Sequence, residues 1–282
     1  MRLVRFGNPG DERPGLLQDD GIVDLRALFP EIPDIGERFF ADDWLERLAG
    51  LNAAGRRMEV RLGPPVARPG KIICLGKNYA EHAKEGGFEM PSAPLLFCKT
   101  GNALNGPFDP VQMPRSAGQI DWEVELAVVI GKSGKRIAED KAFEYIAGFS
   151  VMNDVSAREA QFAHSQWFRG KSFDTFAPMG PALVTPDEVG DAHNLDLTAK
   201  VNGELMQAGN TRDMIFKIPV LIADISEDMT LLPGDIISTG TPAGVGIFRN
   251  PPVVLKPGDE VVCWVEKIGA IGNRFIGQPQ SR

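Results

Sequence analysis

The segment QIDWEVELAVVIGK, residues 119–132, sets three acids, Asp121, Glu123 and Glu125, two apart and runs directly into apolar residues. Alternate side chains of a strand share a face, so this spacing places all three carboxylates on one side. Like charges beside a core are costly unless the face is wet or a cation compensates them. The acids therefore read either as a solvated face or as part of a metal site. Asp154, in FSVMNDVSAREAQ, stands where an apolar strand pattern turns into a helical one. It reads either as the N-cap of that helix or as a third carboxylate ligand. Glu123, Glu125 and Asp154 together offer three hard oxygen ligands to an octahedral cation, with positions left for water and a chelating substrate. Histidine is scarce, with His82, His164 and His193 alone, so a site built from the acids suits Mg²⁺ or Mn²⁺ better than zinc or copper.

In NYAEHAKEGG, His82 and Glu85 are three apart and share a face of a helical turn. A carboxylate on one imidazole nitrogen fixes the tautomer and leaves the other free as a general base. The plainer reading is an exposed, charged helical turn. Gly86-Gly87 follows, as the hinge of a mobile lid would require. Lys171 stands in the Gly- and aromatic-rich FRGKSFDTFAPMGP, either as a solvated cation or as a group that stabilises a developing oxyanion. Arg158 and Gln161, one helical turn apart, face a common pocket. STGTPAGVG (238–246) lacks the Lys-Ser/Thr of a P-loop and the dinucleotide-binding spacing, so its small residues serve close backbone approach to a ligand, with Thr241 among them.

The elements that must carry these groups are mostly strands. Gly 31 and Pro 22 in 282 residues imply many turns, and 43% hydrophobic with 24% charged residues is the composition of a soluble globular protein. Residues 1–66 read as a small separate unit: RLVRFG and GLLQDDGIVDL as strands, and 42–55 as a helix with Asp-rich capping that closes at Gly55. The Pro/Gly-rich 63–71 marks the boundary with a larger unit, 67–282. KIICLG reads as a buried strand. LTAKVNGELMQAG alternates on both sides of Asn202-Gly203, a hairpin signal. Helical patterns are expected at 139–148, 155–163 and 219–229. The net charge of −8 and the lack of a basic stripe exclude a nucleic-acid reading. No apolar run approaches the roughly 20 residues that span a bilayer, and the N-terminus has no signal-peptide core. Cys74, Cys98 and Cys263 are scattered and odd in number, and read as reduced core residues of a cytoplasmic protein.

In series, CLGKNYAEHAKE, DWEVELAVVIGK, MNDVSAREAQ, GKSFDTFAPMGP, VNGELMQ, TRDMIF and GDIISTGTPAGVG resemble the fumarylacetoacetate hydrolase superfamily, from about residue 70 to 276. The resemblance is to its short bacterial type, which includes acylpyruvate hydrolases and 2,4-diketo-3-deoxy-sugar-acid hydrolases. It implies a β-rich α+β fold: the family's β-sandwich roll behind a small N-terminal α/β domain. It also implies a homodimer and Mg²⁺ or Mn²⁺ as cofactor. Glu123, Glu125 and Asp154 match the family's metal ligands, His82 and Glu85 its lid dyad, and Lys171 its active-site lysine. Arg158, Gln161, Tyr79, Lys99 and Thr241 complete the expected substrate-contacting set. Asp121 is not carried over as a ligand.

The implied reaction is hydrolysis of a C–C bond in a 2,4-diketo acid, of the acylpyruvate type or a 2,4-diketo-3-deoxy rhamnonate or fuconate. His82 activates water at the C4 carbonyl, Lys171 and Gln161 hold the alkoxide, and pyruvate leaves as its enolate. The alternative is decarboxylation or tautomerisation of a β-keto acid such as oxaloacetate or a hydroxyheptadienedioate, which needs no nucleophilic water. A non-catalytic metal-binding module is the third reading.

Overall fold

The computed structural model describes every residue except 52, 54, 57, 58, 117 and 278–282. VELAVVI is β-branched and apolar, and it forms the strand Val124–Ile130, buried at every position. A strand covered on both faces reads as a continuous hydrophobic run, not an alternating one. Its antiparallel neighbour Ile146–Asn153 is equally buried. Around this pair the larger sheet runs in the order Gly21–Asp24, Arg13–Gln18, Arg2–Phe6, Ala177–Val184, Ile146–Asn153, Val124–Ile130, Ile236–Ser238, Ile72–Gly76, Leu95–Lys99. Ile236–Ser238 and Ile72–Gly76 pair in parallel, bringing the ends of both strands to one place, with Ser238 opposite Cys74.

A second sheet, Glu204–Asn210, Asp196–Val201, Glu260–Val265, Gly269–Ile276 and Val111–Gln112, packs on the first. The β-rich α+β class follows as expected. The Asn202-Gly203 hairpin is present, with both residues at positive φ, 50° and 84°, as a type I′ turn demands. The helix Ile218–Asp228 forms where its periodicity places it.

Three expectations differ. Residues 139–148 are not one helix: a 3₁₀ stretch, Glu139–Tyr145, gives way to the strand at Ile146, because pairing with Val124–Ile130 captures the chain there. The helix of the 42–55 segment is limited to Trp44–Leu48, with Asp43 in the left-handed region and no side-chain cap; residues 52 and 54 lie outside the described residues. Cys98 is exposed, unlike Cys74 and Cys263, because Leu95–Lys99 is an edge strand. The strands of residues 1–66 extend the larger sheet across the expected boundary, with Arg2 opposite Val184 and Leu3 opposite Leu183. An ion pair also crosses this boundary, Arg61 lying 2.6 Å from Asp109, while Glu12 holds the same guanidinium at 2.9 Å. Among the described residues no helix is long and apolar enough to cross a membrane.

Candidate active site

The strand Val124–Ile130 does not begin at Asp121. Ile120–Asp121 pairs separately with Ser156–Ala157, and the chain changes course at Trp122 and Glu123. The break splits the column of acids. Glu123 and Glu125 turn toward Asp154, and the three offer carboxylate oxygens within 4.8 Å of one another, all buried. Asp121 diverges. It accepts from the backbone N–H groups of Gly246 (2.7 Å) and Ile247 (3.0 Å) and pairs with Arg158 at 2.8 Å. Gly246 permits this approach, since a Cβ there would stand 2.8 Å from Asp121 Oδ1 itself and 2.1 Å from the carbonyl oxygen of Val253.

Asp154 is not a helix cap. The N-cap of Arg158–Phe162 is Ala157, and the Asp154 carboxylate instead meets Lys99 at 2.5 Å and Lys171 at 2.6 Å. Lys171 also lies 2.7 Å from Glu123, which Arg158 approaches to 2.7 Å from the other side. Burial alone would raise the Glu123 carboxyl, but Lys171 and then Arg158 outweigh it and hold it below the ordinary range. Glu125 is paired with no cation among the described residues. It accepts from Ser238 Oγ at 2.5 Å and from the Gly240 N–H at 2.9 Å. Burial, then the charges of Asp154 and Glu123, push it up to about 8. Three converging hard oxygens, one of them short of positive charge, fit a divalent cation.

Across the cavity, Ala80–Glu85 forms the expected helical turn. His82 Nδ1 lies 2.8 Å from Glu85 Oε1. A carboxylate only accepts, so Nδ1 carries a hydrogen, and in the neutral imidazole the basic nitrogen is Nε2. The other oxygen of Glu85 accepts from the Gly244 N–H at 2.8 Å, latching this turn to the Gly-rich loop. Phe248 packs against both Phe88 and His82. Lys77, His82, Glu123, Glu125, Arg158 and Lys171 thus line one cavity, walled by Phe88, Phe97, Trp167 and Phe248. Its free space is about 20 Å³, which is room for about one water.

The remaining expected residues take varied places. Gln161 lines the cavity and accepts from Arg158 at 3.0 Å. Thr241 lines it too, with its hydroxyl donated to the Val124 carbonyl and accepting from Gln207. Lys99 stands behind Asp154 as a buried counter-ion, also donating to the Val155 carbonyl. Tyr79 is buried, its hydroxyl unpaired among the described residues. Sequence reasoning passed over Ser238 and Gln207. It also left Lys77 and the Asp121–Arg158 clamp without roles.

Residues 71–276 match the family model described as fumarylacetoacetate (FAA) hydrolase C-terminal. The chain belongs to this family. A mitochondrial oxaloacetate tautomerase of Bos taurus is 46% identical to it, over 98% of this chain and 92% of that protein. Among solved structures, a fumarylacetoacetate hydrolase from Exiguobacterium antarcticum is 37% identical, with a TM-score of 0.83 over 99% of this chain and 100% of that one. A 2-hydroxyhepta-2,4-diene-1,7-dioate isomerase from Mycobacterium marinum is 34% identical, with a TM-score of 0.77 over the same shares. This family member thus has relatives named for hydrolysis and relatives named for isomerisation.

Proposed function

We propose that this protein is a divalent-metal-dependent tautomerase or isomerase of a small 2-oxo dicarboxylic acid, with oxaloacetate as the first substrate to test. The observation that carries the reading is one cavity lined by an oriented base, His82 on Glu85, and by Glu123 and Glu125, with Asp154 completing a buried triad of metal-ligating type beside them. The same groups serve the C–C hydrolysis expected from the sequence. The tautomerase reading is favoured by a relative of that name, 46% identical along nearly the whole chain.

A Mg²⁺ or Mn²⁺ ion held by Glu123, Glu125 and Asp154 would act as a Lewis acid on the 2-oxo group and its neighbouring carboxylate. His82 Nε2 takes the proton from C3 of the keto form, and the C–H electron pair becomes the C2–C3 double bond. The charge left on the 2-oxygen is eased by Lys171, the cation between Glu123 and Asp154. His82 then returns its proton to that oxygen, so the enol forms with no net gain or loss of atoms. Phe88, Phe97, Trp167 and Phe248 keep bulk water from the anion.

The test follows the decay of enol absorbance of oxaloacetate with the Mg²⁺- and Mn²⁺-loaded protein, beside pyruvate release from acylpyruvates. Tautomerisation is expected to be accelerated, and His82→Ala to lose about 10²–10⁴-fold of it. Rapid pyruvate release without accelerated tautomerisation would return the assignment to hydrolysis. The homodimer implied by the family resemblance belongs to the same proposal, and light scattering checks it.

A further inference from the structure

Four cationic or basic groups face the cavity, and three are spoken for. Arg158 is bound to Asp121 and Glu123, Lys171 to Glu123 and Asp154, and His82 to Glu85. The fourth, Lys77, is half-buried in the same wall and pairs with no carboxylate among the described residues. Its Nζ stands 4.1 Å from the centre of the Phe88 ring, an aromatic face that steadies a cation without neutralising it.

The backbone at Lys77 is unusual. Its φ is 57°, in the left-handed region that favours glycine, although a long side chain stands there. Both neighbours are pinned. A Cβ on Gly76 would meet the Trp167 ring at 2.6 Å. The Asn78 side chain donates to the carbonyls of Thr239 and Phe216 and accepts from the Phe216 N–H. The corner is therefore fixed by its surroundings, and strain held in this way at a cavity is a mark of use.

Charge accounting gives the cation its partner. Around the site, with every carboxyl ionised as a bound metal requires, the buried acids Asp121, Glu123, Glu125 and Asp154 outnumber the buried bases Lys99, Arg158 and Lys171 by one. A divalent cation in the triad turns this small excess of negative charge into an equal positive one, which the first carboxylate of an oxo-acid cancels. A second carboxylate needs a further cation.

We propose that Lys77 binds the second carboxylate of a dicarboxylic 2-oxo acid and so selects diacids over monoacids. The assignment deepens the tautomerase reading and rests on its oxo-acid site.

The test is titration calorimetry of the Mg²⁺-loaded full chain with oxaloacetate, with 2-oxobutyrate (a methyl in place of the distal carboxylate) and with oxalate. A charge-assisted hydrogen bond predicts an oxaloacetate preference of about ten- to a hundredfold over 2-oxobutyrate. Lys77→Met should abolish most of that preference and leave 2-oxobutyrate and oxalate within about twofold of wild type, while Lys77→Arg keeps it. Lys77→Gly, which relieves the left-handed φ, should show the same loss in a chain that folds at least as well. The proposal is overturned if wild type shows no preference, if the preference survives Lys77→Met and Lys77→Gly, or if those variants weaken all three ligands alike. Loss of the preference in a protein that does not tautomerise oxaloacetate would uphold Lys77 and sink the proposed reaction. Fast tautomerisation with a preference indifferent to Lys77 would do the reverse.

Discussion

Lys171 joins two of the three triad acids, at 2.7 Å from Glu123 and 2.6 Å from Asp154. It is fully buried, so its charge acts through a medium that screens poorly. Lys171→Ala is expected to cut kcat by about a hundredfold, the usual loss for one donor to a developing oxyanion, in a protein whose metal-loaded fold persists. Steady-state kinetics beside circular dichroism checks this, and near-wild-type turnover would remove Lys171 from the mechanism. At this scale the sequence showed the groups whose partners are close along the chain. His82 and Glu85 are three apart, and Glu123 and Glu125 two. It did not show that Ser238 would donate to Glu125 across 113 positions, or that Asp121 would leave its column to hold Arg158. Those contacts depend on which strand ends meet, a property of the sheet order that side-chain spacing does not carry.

Among the elements, the Gly-rich loop connects both halves of the site. Its Gly240 N–H donates to Glu125, its Gly244 N–H to Glu85, and its Gly246 N–H to Asp121. One loop thus holds a triad member, the base's orienting acid and the anchor of Arg158. Gly244 has a φ of 107°, and a Cβ there would stand 2.2 Å from the Met206 carbonyl oxygen. Gly244→Ala should therefore shift the loop and loosen Glu85, lowering kcat by about ten- to a hundredfold, since small misplacements are amplified at the reacting atoms. Stopped-flow tautomerisation would detect it; an unchanged rate would mean the latch has no part in catalysis. Element-level legibility followed local chemistry. Asn202-Gly203 specified its turn without help, whereas 139–148 carried a helical pattern that the neighbouring strand overrode.

For the whole molecule, the triad ties folding to pH. Glu125 is raised from 4.5 to about 8, so the folded chain binds a proton there that the unfolded chain releases. Its contribution to stability is complete below pH 4.5 and is lost as pH rises toward 8. Glu123 is shifted downward, so its contribution is present above 4.5 and lost in acid. In chelator the melting temperature should fall between pH 6 and about 8.5, and Mn²⁺ should reverse most of that fall by taking the proton's place on Glu125. Melting curves in EDTA and in Mn²⁺ across that range check the sign; parallel curves would mean that Glu125 does not bind the ion.

The junction at Arg2 and Leu3 bears on what can be separated from what. The family's shared module starts at residue 71, yet the hairpin contributed from the N-terminus covers the margin of Ala177–Val184, and Asp109 is held by Arg61. Cutting the gene at the module's border would leave that strand with bare amides and carbonyls, open to docking by any passing β-segment. The first sixty-odd residues thus act as a built-in cover for that margin, blocking stray strand pairing there.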